Sequence, residues 1–200
     1  MRNIKLYKTK LRTKYRTMRE NMDPEKKEIL DNKILKNISI LSIYKKARIV
    51  FIYYSKDIEV NTQKLIQKCW EDGKTVAIPA CTKETRKMDF YVIKSFDDIE
   101  KGTFGLMEPI KEKCEKVTDL SGGICIVPGF CFDNKGYRLG YGYGYYDRFL
   151  QRFHGETIGI CYTNGIRKHL FHGNFDRPVD LLLTDSFIKE IKKISRVKNA

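Results

Sequence analysis

The stretch RIVFIYYSKDIEVNTQKLIQKCWEDGKTVAIPA at residues 48–80 decides the fold. Its two ends, residues 48–54 and 75–80, are short apolar and β-branched runs of the kind that form buried strands. Between them lie a polar pair that can cap a helix, a helical stretch through Trp70, and Gly73 to close it. A strand, a helix and a second strand in this order indicate an α/β domain with parallel strands.

The same alternation continues on both sides of this stretch. Residues 4–22 carry apolar side chains at steps of three and four, and Asp23-Pro24 marks the start of a second helix that runs to about residue 40. Residues 81–123 are less regular. Further strands are predicted at residues 90–93, 124–127, 157–162 and 181–184, a helix at 145–153, and a strand or helix at 186–194. We therefore predict a single three-layer α/β domain over residues 1–200, with a largely parallel sheet.

Composition excludes several classes of protein. A hydrophobic content of 42% with 12% aromatic residues is typical of a folded globule. No apolar run approaches the roughly 20 residues of a membrane span, and the first residues lack an apolar signal core, which predicts a cytoplasmic protein. The six cysteines are spread singly without a CxxC pair, so we expect reduced, structural thiols rather than disulfides or zinc.

A net charge of +14 predicts attraction to anions. Nucleic acid and a small molecule that carries phosphates both qualify, and lysine-rich surfaces without a specific partner are also common. Basic residues beside many tyrosines would suit a single-stranded RNA, although the sequence lacks the RNP1 pattern. Charge alone does not separate these possibilities.

A glycine-rich segment, VPGFCFDNKGYRLGYGYGYYDRFL at residues 127–150, follows one predicted strand and opens a predicted helix. Gly140, Gly142 and Gly144 are spaced as GxGxG, which lets the backbone approach a phosphate and turn its N–H groups toward it. Arg138 would add a fixed positive charge. A tight glycine turn explains the same spacing about equally well, and the tyrosines of the segment suggest either a surface for a flat ring or a packed aromatic cluster.

Several charged residues have two interpretations each. Asp147 suits the first turn of a helix, but it could also hold Mg²⁺, and Asp180 is either a turn residue or a second metal ligand. Without further information, Glu59 would be interpreted as a surface residue. The basic residues of the first helix are by themselves typical of a solvated face: Lys8, Arg12, Arg16 and Arg19.

The glycine-rich segment also carries a longer pattern. GYRLGYGYGYYDR at residues 136–148, preceded by VPGFCFD at 127–133, resembles the signature of the 5-formyltetrahydrofolate cyclo-ligase family. Shorter matches extend over most of the chain: Lys8-x-x-Leu11-Arg12, Glu59-Val-Asn-Thr62, FGLMEP at residues 104–109, and Pro178-Val-Asp180.

The resemblance implies a fold of the NagB/RpiA/CoA-transferase type and a reaction that depends on ATP and Mg²⁺. ATP would phosphorylate the formyl oxygen of 5-formyltetrahydrofolate, N10 would attack the activated carbon, and loss of phosphate would give 5,10-methenyltetrahydrofolate. It further implies a monomer whose partners are these small molecules, not nucleic acid or membrane. A polyglutamate tail on the folate would give the positive charge a use in steering.

The site residues are carried over by position. ATP contacts fall on Lys8, Arg12, Arg138, Leu139, Gly140, Tyr141, Gly142, Tyr143, Gly144, Tyr145 and Tyr146. Folate contacts fall on Tyr54, Glu59, Tyr141, Gly142, Tyr143, Gly144 and Tyr145. Asp147 and Asp180 would hold Mg²⁺, and the catalytic residues would be Arg138, Tyr145 and Asp147.

Overall fold

The computed structural model describes residues 4–102 and 105–191, and a twisted sheet runs through its centre. The helices are α1 (Ile4–Glu20), α2 (Pro24–Ser39), α3 (Ser42–Lys46), α4 (Gln63–Glu71) and α5 (Tyr145–Leu150). The strands are β1 (Ile49–Phe51), β2 (Thr75–Thr82), β3 (Lys87–Ile93), β4 (Ile99–Lys101), β5 (Met107–Pro109), β6 (Ile124–Pro128), β7 (Cys131–Asp133), β8 (Arg138–Leu139), β9 (Glu156–Ile160), β10 (Ile166–Arg167), β11 (Leu181–Leu183) and β12 (Ile188–Glu190).

The central sheet has the strand order β12-β11-β9-β6-β1-β2-β3. Its inner strands, from β11 to β2, pair in parallel, whereas β3 and β12 lie antiparallel at the two edges. The largely parallel sheet predicted from the strand–helix–strand pattern is confirmed.

Successive residues of the strands face opposite layers of helices. On β1, Val50 packs into the cluster that holds Ile34 and Ile38 of α2, together with buried residues of α4. Phe51 points the other way and packs against Phe149 of α5. Because a strand alternates its side chains between the two faces of a sheet, this pattern produces helices on both faces and the predicted three layers.

Helix α1 packs on neither face of the central sheet. Leu11 and Tyr15 of α1 pack against Phe130, Leu139 and Leu170, a small cluster separate from the two faces of the central sheet. Phe130 directly precedes β7 and Leu139 belongs to β8, and these two strands form an antiparallel hairpin. The hairpin thus brings α1 next to the glycine-rich segment that follows β8.

Most elements agree with the sequence-based expectations. The side chain of Asp23 caps α2 by accepting a hydrogen bond from Lys26 N at 2.8 Å. The irregular region contains β3, β4 and β5 rather than one short strand, and α3 was not predicted. The helix predicted over residues 145–153 ends at Leu150, and residues 188–190 of the predicted 186–194 element form β12, while residues 192–194 lie outside the described part.

All six cysteines are buried, as expected of structural thiols. Within residues 4–102 and 105–191, no helix combines the length and apolar character that crossing a bilayer requires.

Candidate active site

A cavity of about 430 Å³ opens at the carboxyl ends of the parallel strands. Tyr53 and Tyr54 reach it just after β1, Pro79 and Cys81 lie on β2, and Pro128 ends β6. Ligand sites of α/β proteins form at this edge of the sheet because the strand-to-helix connections meet there. Residues 141–147 of the glycine-rich segment form the facing wall of the cavity.

Two glycines of this wall have backbone angles that other residues rarely adopt. Gly142 has φ +105° and Gly144, at the N-terminal boundary of α5, has φ +73°. A Cβ added to Gly142 would lie 2.8 Å from Nη2 of Arg12, so the end of that flexible side chain would have to shift. The segment needs glycine at this position for its backbone conformation.

An ion pair joins Arg138 on β8 to Asp147 at the end of the glycine-rich wall. Arg138 Nη2 donates to Asp147 Oδ1 at 2.8 Å, and the Arg138 side chain is only 5% exposed. Its Nη1 donates to the carbonyl of Arg177, whose own N–H donates to Asp147 Oδ1 at 3.1 Å. The structure thus brings together Arg138 and Asp147, two of the three residues predicted to be catalytic.

The basic face of α1 contacts this region instead of solvent alone. Arg12 Nε donates to the carbonyl of Gly140 at 2.8 Å, and Lys8 Nζ pairs with Asp176 at 2.6 Å. Arg19 is buried and donates to the carbonyls of Gly129 and Phe130, at 2.6 and 3.0 Å. The interpretation of these residues as a solvated face is therefore wrong for Arg19, Arg12 and Lys8. Arg16 is exposed but lines the cavity.

Glu59 is buried, not at the surface as its sequence context alone predicts. Its Oε1 accepts a hydrogen bond from the hydroxyl of Tyr141 at 3.0 Å, and its Oε2 accepts one from Lys56 N at 2.9 Å. Burial raises the pKa of Glu59, and these two hydrogen bonds oppose the effect without cancelling it. Glu59 thereby connects the glycine-rich wall to the segment that follows β1.

The remaining loop residues divide between the cavity and the core. Tyr145 lines the cavity and its hydroxyl donates to the carbonyl of Thr82 at 3.5 Å, while Tyr143 is 53% exposed at the rim. Leu139 is buried in the cluster with α1 and does not line the cavity. Tyr146 also lines the cavity, and its ring lies 5.8 Å from the guanidinium carbon of Arg138.

The two predicted metal ligands are not placed alike. Asp147 lines the cavity, whereas Asp180 precedes β11 and its Oδ2 accepts hydrogen bonds from the N–H and hydroxyl of Thr157, at 3.0 and 2.7 Å. Thr157 lies near the amino end of β9, at the edge of the sheet opposite the cavity. Over the described ranges, no three His, Cys, Asp or Glu side chains converge as a metal site. The metal role of both residues stays a prediction.

Sequence reasoning missed several residues that line the cavity. Ligand sites of α/β proteins form at the carboxyl ends of parallel strands, and this could have indicated Tyr53 and Pro128. Leu106 and Met107 lie in the FGLMEP match of the irregular region, for which no site role was predicted. The full set of missed residues is Arg16, Tyr53, Lys56, Pro79, Cys81, Met88, Leu106, Met107 and Pro128.

Comparison with known proteins shows the family of the chain. The model of the 5-formyltetrahydrofolate cyclo-ligase family matches residues 4–185. The chain belongs to this family. The 5-formyltetrahydrofolate cyclo-ligase of Haemophilus influenzae is 29% identical over 179 residues, which cover 86% of this chain and 95% of the relative. That of Escherichia coli K12 is 27% identical over 180 residues, with 88% and 98% covered.

Solved structures of cyclo-ligase relatives have the same fold. The 5,10-methenyltetrahydrofolate synthetase of Aquifex aeolicus has a TM-score of 0.81 and 32% identity, covering 92% of this chain and 93% of its own. A synthetase from Mycoplasma pneumoniae has a TM-score of 0.68 at 21% identity, covering 89% and 98%, and supports the fold alone.

The comparisons confirm the resemblance found in the sequence. The chain is an enzyme of the cyclo-ligase family, whose names describe conversion of 5-formyltetrahydrofolate to 5,10-methenyltetrahydrofolate. They also confirm an α/β fold with a mostly parallel sheet. The finer assignment to the NagB/RpiA/CoA-transferase type stays a prediction.

Proposed function

We propose that this enzyme closes the ring of 5-formyltetrahydrofolate in a reaction that consumes ATP and requires Mg²⁺, releasing ADP and phosphate. One observation carries the proposal: the glycine-rich wall and the buried carboxylate of Glu59 line the same cavity, and Arg138 is bonded to Asp147 at the end of that wall. A phosphate-binding segment and a polar anchor for an uncharged ring are thereby close enough to serve two substrates that react with each other.

The folate head would lie between the aromatic and apolar walls. Tyr54, Tyr141 and Tyr145 supply ring surfaces, and Pro79, Met88 and Pro128 supply an apolar floor. Glu59 accepts hydrogen bonds here, so it can bind the N–H groups of a folate ring. Apolar pockets with a few placed polar groups are typical of sites for flat heterocycles.

The ATP phosphates would lie along the glycine-rich wall. Gly142 and Gly144 let its backbone approach a phosphate, and Arg138 is fixed in place by its bond to Asp147. Arg12 reaches the same wall from α1, and Lys8 lies one turn earlier on that helix. Cations held in fixed positions stabilise the charge of a phosphoryl group during transfer without reorganising.

The chemistry conserves every atom of the two substrates. The formyl oxygen forms a bond to the γ-phosphorus of ATP while the bond from that phosphorus to ADP breaks. N10 then forms a bond to the formyl carbon and gives up its proton, and the former formyl oxygen leaves with the phosphate, which can take up that proton. Arg138 and Arg12 would bind the phosphates through both steps, and Glu59 would hold the ring so that N10 stays near the carbon.

Mg²⁺ would be held by Asp147, where it would supply positive charge to the nucleotide phosphates. Oδ1 of Asp147 already accepts hydrogen bonds from Arg138 and from the backbone of Arg177. One carboxylate is enough for Mg²⁺, because the ion is usually bound by one or two carboxylates together with phosphates and water. Asp180 stays a predicted ligand, but it bonds Thr157 at the opposite edge of the sheet, so the proposed Mg²⁺ site rests on Asp147.

The cavity favours small molecules over nucleic acid. Tyr141, Tyr145 and Tyr146 line a concave site at the sheet edge, whereas single-stranded RNA is held along an open basic groove.

We also propose that the enzyme is a cytoplasmic monomer and accepts folates with or without a polyglutamate tail.

The proposed function is tested by following the methenyl product spectrophotometrically in purified protein with 5-formyltetrahydrofolate, ATP and Mg²⁺. We expect product only when all three are present, and none after adding EDTA or omitting ATP. Equal product formation without ATP, or no product from folded protein under the complete conditions, would contradict the proposal.

A further inference from the structure

The hydroxyl of Tyr146 is buried and makes no hydrogen bond. Among the described residues, only Tyr146 Oη and Arg167 Nε are buried side-chain polar atoms without a partner. Such atoms are rare in folded proteins because each one gives up its hydrogen bonds to water without replacement. A group of this kind in a cavity wall requires an explanation, and a bound ligand can supply the missing partner.

Tyr146 lines the cavity together with Tyr53, Cys81 and Glu59. Glu59 belongs to the proposed folate side, and besides burial it helps to raise the pKa of the Tyr146 hydroxyl. The guanidinium of Arg138 lies over the Tyr146 ring, 5.8 Å from its centroid. Tyr146 therefore contacts the cation of the proposed phosphate site through its ring and shares a cavity with the polar residue of the proposed folate site.

The hydroxyl of Tyr146 is protonated at neutral pH. Burial raises its pKa well above that of a free tyrosine, and neighbouring acidic groups act in the same direction. The group is thus a neutral donor, suited to an uncharged acceptor such as a ring nitrogen, a ring carbonyl or a formyl oxygen.

We propose that Tyr146 determines specificity for the folate, by donating a hydrogen bond from its hydroxyl to an acceptor on the formyl group or ring system of the substrate. The inference rests on the proposed function. It differs from the role that the family resemblance gives Tyr146, which is contact with ATP.

A role of Tyr146 in folate binding and a purely structural role predict opposite effects of Tyr146→Phe on the stability of the free protein. Tyr146→Phe keeps the ring against Arg138 and removes a donor that has no partner in the free protein. The free variant should be as stable as the wild type or more stable, because nothing that was bonded is lost. The complex with folate loses one buried hydrogen bond, so affinity should fall.

The test measures the Kd for 5-formyltetrahydrofolate by calorimetry without ATP, the KM of each substrate, and the thermal midpoint. For Tyr146→Phe we expect a Kd about 5- to 100-fold weaker, an unchanged KM for ATP and an unchanged or higher Tm. Tyr44→Phe is the matched control, because the hydroxyl of Tyr44 on α3 donates to Asp72 at 2.7 Å and the residue does not line the cavity. That variant should lose stability and keep the wild-type Kd.

Three outcomes would overturn the inference. These are a Tyr146→Phe variant that binds the folate as tightly as the wild type, one with a raised KM for ATP alone, and one that loses stability as Tyr44→Phe does. Wild-type protein that binds no 5-formyltetrahydrofolate would overturn the proposed function and this inference with it, so the two failures are distinguishable.

Discussion

The hydrogen bond between Tyr141 and Glu59 joins the two walls of the cavity, and Tyr141→Phe removes it alone. The ring would keep its contacts with Phe130, whose centroid lies 4.8 Å away, and with the ammonium of Lys56 at 5.4 Å. A hydrogen bond to an ionised group contributes about 1.5–3 kcal/mol, and one to a neutral group about 0.5–1.5 kcal/mol. Since Tyr141 is 36% exposed, water can partly replace the bond, and the lower end of each range applies.

The loss should therefore depend on pH. At a pH where Glu59 is ionised, the variant should lose about 1.5 kcal/mol, or about 3–6 °C in Tm for a chain of this size. The pKa of Glu59 is raised by burial, so the stability that its proton provides is present at low pH and lost as pH rises through that pKa. The Tyr141 bond favours the ionised form, so its removal raises the pKa further and enlarges that loss. The Tm difference between wild type and variant should widen with pH.

Thermal unfolding followed by circular dichroism between pH 5 and 9 measures this difference. The control is the same Tyr141→Phe change in a Glu59→Gln background, where the acceptor remains but cannot ionise. There the Tm difference should be small and constant with pH. A difference that is the same at every pH in both backgrounds, or absent from both, would refute the reasoning.

Three further substitutions test the glycine-rich wall. Arg12→Ala removes the bond to Gly140, so steady-state kinetics should show a KM for ATP raised about 10-fold and a smaller change for the folate; unchanged ATP kinetics would return Arg12 to a surface role. Asp147→Asn keeps an acceptor for Arg138 but loses its charge, so turnover at limiting Mg²⁺ should fall about 100-fold, and full activity there would exclude a metal role. Gly142→Ala forces a side chain onto Arg12 at φ +105°, so Tm and kcat/KM should both fall, whereas Gly122→Ala, where a Cβ meets nothing within 4 Å, should leave both unchanged.

The fold was predictable because its signals are local. The cap at Asp23 predicts the start of α2, and the apolar runs of β1, β2 and β6 predict strands, each from a few neighbouring residues. In the region that includes β3 to β5, only residues 90–93 of β3 were predicted in this way. Its hairpin turns through Arg86, which has φ +52° without being glycine, and polar residues interrupt the alternation on which strand prediction depends.

The site was predictable only in part. Glycine spacing indicated the wall with Gly142 and Gly144, and the family pattern indicated Glu59. No local signal shows that Glu59 or Arg19 is buried, because their partners, Tyr141 and the carbonyls of Gly129 and Phe130, are distant in the sequence. Burial of a charged group depends on the completed tertiary structure, which a window of neighbouring residues does not contain.

The contacts of α1 have a consequence for biosynthesis. Arg12 is translated 128 residues before Gly140, and Lys8 168 residues before Asp176. At roughly 5–20 residues per second, α1 waits on the order of ten seconds for the hairpin that covers Leu11 and Tyr15. The nascent chain therefore carries this strongly basic segment without its partners for most of its time on the ribosome.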